Sequence, residues 1–427
     1  TFLKNEKKYP EALEQFKQAL YRYQSLLEPN NLNIIDIKAD IGETQVLNAE
    51  LTLGLASINE AIHLLDQNAM MDSLPGQKVV WHKSRIHCFK KKGDALKTRF
   101  LINNEVKYLE DAFNCYITCL QSIENLRQSY LNIESKLLIT EQQKNVFNQL
   151  VDMSYELYQL TGEKEYLDKA FLFSEKSKAA ILLSYIRDIN AKDFAGIPAE
   201  LLSRETSLKK ELSVYKEFLY EELQRKEPDT IKIGVWEELI FEFSRDIDSI
   251  HELYEMEYPA YHRLKNNTYV YKIYEVQHFL LENQCLLEFF QTDSVLYSFF
   301  ITRDTSIVKK IFLPENFTGS TRYFTEKISN IESGSKAREQ YNLFCKNAYR
   351  LYQQLVSPFK DYIAGKQITI IPDENFSSLP FDILLTSPVD SVSTINYREL
   401  PYLIKEVPIN YAYSATLQFE KNYTPSH

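Results

Sequence analysis

Five cysteines and seven histidines hold most of the chemistry this chain could do. A thiolate beside an imidazole can attack a carbonyl, and thiolates with imidazoles can hold a metal. His278 and Cys285 are the nearest such couple in the C-terminal half. Nucleophile and base normally come from separate elements, and Cys285 opens the apolar run "CLLEFF", so it reads as a core thiol. Cys345 lies among Tyr341, Phe344 and Ala348 and reads the same way. Cys115 and Cys119, one helical turn apart, could place two thiolates on one metal, but no Cys or His pair nearby completes four ligands. His82, His87 and Cys88 share a neighbourhood without regular ligand spacing. Glu237-Glu238 reads as surface charge on an amphipathic helix, and His427, at the last position, is not promoted to a catalytic base. No G-x-x-x-x-G-K-[ST] loop is present to cradle phosphate. No metal and no cofactor are expected.

The totals narrow the class. A formal charge of −10 repels a phosphate backbone, which argues against nucleic acid, and the run Lys90-Lys91-Lys92 reads as a solvated helix end. An odd, irregularly spaced cysteine set argues against a disulfide framework and for a reducing, cytoplasmic setting. No apolar run approaches the length of a membrane span, so no membrane partner is expected. The chain opens on Thr1 rather than Met, which reads as a piece of something longer. Only 10 Gly and 14 Pro in 427 residues favour long helices over many tight turns.

The elements that must position any site follow from periodicity. Residues 1–190 read as helical. A small residue, then a bulky one four on, then a small one three further, recurs as Ala12/Phe16/Ala19, Gly54/Ile58/Ala61, Ala112/Tyr116/Cys119 and Ala170/Ser174/Ser177. These offsets fall on one helix stripe, where small residues let a neighbouring helix approach. The spacing resembles the second helix of a tetratricopeptide repeat, with intervals irregular against the usual 34 residues; an ordinary helical bundle is the alternative. Residues 191–273 read as a charged helical hairpin or linker, with Pro198 at the start of its first helix. Near Tyr274 the period changes. Cys285–Phe290, Val295–Thr302 and Ser306–Leu313 read as an antiparallel meander with turns at Thr292-Asp293 and Arg303-Asp304. A helical stretch follows over 318–364. Ile368–Ile371 then reads as a strand buried on both faces, ended by Pro372-Asp373, with a covering helix started by Ser378 and Pro380. Pro408–Tyr413 adds a strand, and Ser414 can cap a helix from Ala415.

"EKSKAAILLSYIRD", "FAGIPAELL", "CLLEFFQTDSVLYSFFIT", "ITIIPDENFSSLPFDILL" and "YLIKEVPINYAYSAT" come in this order. Together they resemble the bacterial TPR–CHAT proteins, in which tetratricopeptide repeats precede a caspase- and separase-like CHAT domain. The resemblance implies a fold of class α + α/β: an irregular tetratricopeptide helical array, a helical hairpin, then part of a caspase-like α/β sheet domain over 274–427. It implies, for active members, a cysteine peptidase whose His-Gly turn and Cys follow the segment resembling "YAYSAT". No His-Gly turn occurs here and no cysteine follows Cys345, so this chain would be truncated before its catalytic pair and has no catalytic residue to name.

The resemblance also implies that the repeats bind a protein or peptide partner along a groove lined by each repeat's first helix. In the last repeat Asp152, Tyr155 and Gln159 would line it, against the alternative of a plain solvated face. A second chain could complete the caspase-like sheet. The two expected functions are the regulatory and N-terminal portion of a TPR–CHAT cysteine endopeptidase, and a non-catalytic interaction scaffold with a degenerate caspase-like domain; whether the protein is an enzyme stays open.

Overall fold

The computed structural model describes residues 2–427 except 74–76, 130–143, 179–195, 224–228, 259–268, 293, 315–316, 318–320, 322–323, 327–334, 374–376, 390–394 and 420–427. Asp293 of the expected turn and His427 therefore lie outside the described residues. In chain order the helices are α1 (Phe2–Asn5), α2 (Tyr9–Gln24), α3 (Leu32–Leu47), α4 (Leu51–Gln67), α5 (Lys78–Asn103), α6 (Val106–Ser129), α7 (Lys144–Thr161), α8 (164–178), α9 (Ala199–Leu223), α10 (Thr230–Glu257) and α11 (Ile273–Phe279). Then come β1 (Gln284–Gln291), β2 (Val295–Thr302), β3 (Ser306–Phe312), α12 (Ser335–Leu355), α13 (Lys360–Ile363), β4 (Gln367–Ile371), β5 (Ile409–Tyr411) and α14 (Ala415–Phe419). The protein is mostly helical with a C-terminal mixed sheet, as an α + α/β class requires. Two compact units emerge, 1–146 with 180–269, and 147–179 with 270–427.

In the first unit α3 pairs with α4 and α5 with α6. The small–bulky–small stripe explains how closely they meet. A Cβ on Gly54 would sit 2.6 Å from the Gly42 carbonyl oxygen, and one on Gly42 would sit 2.5 Å from Ile58 Cγ1. A Cβ on Gly93 would sit 2.6 Å from the Tyr116 ring. Ile58 and Tyr116 thus each lie over a glycine of the preceding helix, and Tyr116 donates its hydroxyl hydrogen to Asp94. Gly54→Ala should therefore destabilise this unit by about 1–2 kcal/mol, because overpacking outweighs the alanine's better helix propensity. A urea titration followed by helical circular dichroism checks it; an unchanged midpoint would contradict the close crossing.

The α9–α10 hairpin is antiparallel. Its contacts run Glu205 with His251 (3.0 Å), Tyr215 stacked on Phe243, and Phe218 against Trp236. Asp229 caps α10 through the N–H groups of Ile231 and Lys232.

In the second unit the strand order is β3-β2-β1-β4-β5. β1, β2 and β3 form the antiparallel meander, while β4 runs parallel to β1 and β5 parallel to β4. β4 is therefore an interior strand, with Ile368, Ile370 and Ile371 buried. Cross-strand register sorts the side chains into two faces. Cys285, Leu287, Phe289, Leu296, Phe300, Ile368 and Ile370 join one core with Tyr341, Cys345, Ala348, Tyr352 and Leu355, a single stripe of α12. On the opposite face Phe299 meets Phe171 of α8 at 5.6 Å, and Tyr297 meets Tyr155 of α7 at 5.4 Å. The sheet is thus covered on both sides, which is why β1 and β2 read as continuous apolar runs.

Two local expectations are corrected. The helix expected after Ser378 and Pro380 shrinks to one 3-10 turn at Phe381–Ile383, whose Phe381 side chain is buried against Phe289. Lys90-Lys91-Lys92 is not a solvated helix end: it lies inside α5, and Lys91 is only 8% exposed.

Candidate functional site

Asp152, Tyr155 and Gln159 do share one stripe of α7. The Asp152 carboxylate accepts hydrogen bonds from the Tyr297 hydroxyl and, at 3.0 Å, from the Lys310 ammonium. The same ammonium lies over the Tyr155 and Tyr297 rings at 5.8 and 5.6 Å. Burial and the neighbouring Asp152 charge push the Tyr297 hydroxyl far above its ordinary pKa, so it stays a donor. Gln159 is exposed. Two of the three residues are thus engaged with β2 and β3, and Gln159 is the one that faces solvent.

A second polar stripe was not singled out in the sequence. Asp36, Asp40 and Glu43 on α3 face Ser84, His87 and Lys91 on α5. Ser84 donates to Asp36 at 3.1 Å, His87 and Lys91 reach Asp40 at 3.2 and 2.9 Å, and Lys91 and Lys4 both bond Glu43. Burial works to raise the Asp40 and Glu43 pKa values, but His87 and Lys91 at Asp40, and Lys91 and Lys4 at Glu43, outweigh it and hold both below the usual carboxylate range. Asp36, with less compensation, is raised by burial. The signal was legible as carboxylates at intervals of four and three on α3, matched by polar groups at three and four on α5.

All five thiols are buried. Burial raises every one, Cys115 to about 11 and Cys285 to about 12. A thiol so placed is protonated at neutral pH and a poor nucleophile. His278 is exposed whereas Cys285 lies in the core, so the nearest Cys–His couple of the C-terminal half does not meet. His82 pairs with Asp72 and His87 with Asp40, so these two rings serve different carboxylates. Among the described residues no three His, Cys, Asp or Glu side chains converge as metal ligands would.

The third polar cluster lies inside the sheet unit. Glu288, the one charge within β1, is fully buried and accepts from Ser174 Oγ at 2.6 Å and Lys178 Nζ at 3.0 Å. Glu175, also fully buried, accepts the backbone N–H groups of Ala415 and Thr416 at 2.9 and 2.7 Å. Ser414 caps the same turn by accepting from the Leu417 N–H at 3.1 Å. A charged residue in the otherwise apolar "CLLEFF" is the signal that could have revealed the cluster, since such a charge demands a buried partner.

No helix among the described residues is long and apolar enough to cross a membrane. No protein-family model matches the chain, and no curated protein matches it either.

Proposed function

We propose that this chain is the regulatory and N-terminal portion of a TPR–CHAT-type cysteine endopeptidase, with catalytic His and Cys supplied by strands added beside β5. The observation that carries the reading is the sheet: β1, β4 and β5 step outward in parallel, and β5 has no strand on its outer side among the described residues. A hairpin bearing the repeat spacing covers one face of that sheet. Chemistry in open parallel sheets gathers at the carboxyl ends of the strands, which here are the ends of β1, β4 and β5. A protein or peptide partner bound along the repeats would control the protease.

The second reading, a non-catalytic interaction scaffold, draws its support from the five buried thiols. A fluorogenic peptide panel separates the two. The 427-residue chain should be inactive whichever of its cysteines is changed to alanine. A polypeptide extended through the following strands should cleave peptides and lose that activity when its later cysteine becomes alanine. An inactive extended polypeptide that still binds partners would favour the scaffold, and activity abolished by Cys285→Ala would contradict both.

A further inference from the structure

Glu175 on α8 and Glu288 on β1 are both fully buried, and their carboxyl groups face each other. The acceptors around them are unevenly supplied. Both Glu175 oxygens take backbone N–H groups, and one Glu288 oxygen takes Ser174 and Lys178. The other Glu288 oxygen, Oε2, is buried and has no donor among the described residues. Two ionised carboxylates cannot satisfy one another there, because both only accept. A single proton between them supplies the missing donor, and with Lys178 leaves the cluster neutral.

We infer that Glu175 and Glu288 share one proton and form a proton-gated clasp that joins α8 to β1 and, through the Ala415 and Thr416 N–H groups, to the segment after β5. The groups facing Glu175 are few. Glu288 comes from β1, Lys178 and Ser174 from α8 itself, and α14 presents backbone N–H groups. The Thr416 side chain also reaches Glu175 and works to lower its pKa, while its hydroxyl accepts from the Tyr271 N–H at 3.1 Å. Glu288 is flanked in the sheet by Phe299 and Ile371, which bring no charge. Burial first, then the Glu288 charge and hydrogen bond, push Glu175 from 4.5 up to about 8.

The sign follows from linkage. Between the ordinary carboxyl value and about 8, the folded state keeps a proton that the unfolded chain releases. The clasp therefore stabilises the fold at lower pH and is lost as pH rises through about 8. Two buried like charges then push α8 from β1. α8 carries the last copy of the repeat spacing, Ala170/Ser174/Ser177, so the clasp ties that one helix to β1 and to the segment after β5 within the sheet unit. This holds for a protease and a scaffold alike.

Amide hydrogen exchange on the whole chain at about pH 6 and about pH 9, corrected for intrinsic rates, tests it. Peptides covering 171–178 and 412–419 should lose protection about a hundredfold at the higher pH, because about two pH units of that span lie below the folded-state value of about 8. Glu288→Gln supplies an N–H donor toward Glu175 and keeps an acceptor for Ser174 and Lys178, so it removes the Glu288 share of the shift and its protection should change less between the two pH values than that of the native chain. Equal protection of the native chain at both pH values, or a pH dependence in Glu288→Gln as large as the native one, would overturn the clasp. If the variant fails to fold, the native urea midpoint decides: a fall from pH 6 to pH 9 supports the shared proton, and no fall overturns it.

Discussion

Lys91→Met should lower the stability of the first unit by about 3 kcal/mol at neutral pH. Removing one partner of a buried ion pair costs about 3–5 kcal/mol, and the lower end applies because Asp40 and Glu43 keep side-chain exposures of 23% and 28%. Lys91, with its side chain 9% exposed, is the only cation among the described residues that touches both. The pH dependence should change with it. Asp40 and Glu43 have depressed folded-state pKa values, so their contribution is present above the ordinary carboxyl range and is lost as pH falls through the folded values. Lys91 is raised because Glu43 and Asp40 outweigh its burial, so its contribution is lost only as pH climbs past its usual range. In Lys91→Met the loss of stability on acidification to about pH 3 should shrink, since the carboxylates gain relief from protonation. Urea midpoints of native and variant chains at the two pH values check this. A variant within about 1 kcal/mol of the native chain would mean that the pair is screened like a surface contact.

Phe299→Ala should cost about 3–5 kcal/mol, the range for a fully buried phenylalanine truncated to alanine. Its ring is 0% exposed and meets Phe171, also 0% exposed, edge to face across the α8–sheet layer. The loss should fall on both partners together: exchange protection of 164–178 and of β1–β2 should drop in parallel. The double variant with Phe171→Ala should lose less than the sum of the singles, by about 0.5–1.5 kcal/mol for the ring pair. Additive losses would show that α8 and the sheet do not stabilise each other through this contact.

The strands were legible because their chemistry is local. Cys285–Phe290 and Val295–Thr302 alternate onto two buried faces, so they read as unbroken apolar runs, and the structure places β1 and β2 over them. Ile368–Ile371 gave an interior strand for the same reason. The repeat spacing was legible as small and bulky positions, but the matching glycines, Gly42 and Gly93, lie on other helices and belong to no local pattern. Lys91 was misread because three consecutive lysines look solvated until the facing carboxylates of α3 are known. The segment after Pro380 has helix-starting residues, yet Phe381 is drawn into the sheet core and the chain makes one 3-10 turn before Leu384. Glu175 was hidden for a related reason: its partners, Glu288 and the 415–416 backbone, are more than a hundred residues away.

An experimental structure of the polypeptide extended beyond residue 427 tests the proposed kinship with a caspase-type sheet most directly. Pro408 and Ala412 turn their backbone groups toward β4, which leaves the N–H and C=O groups of Ile409 and Tyr411 facing outward. The account predicts that the next strand pairs there in parallel and ends in a histidine close to a cysteine from the strand beyond. An antiparallel strand on that edge, or a β5 that remains the outermost strand, would contradict it.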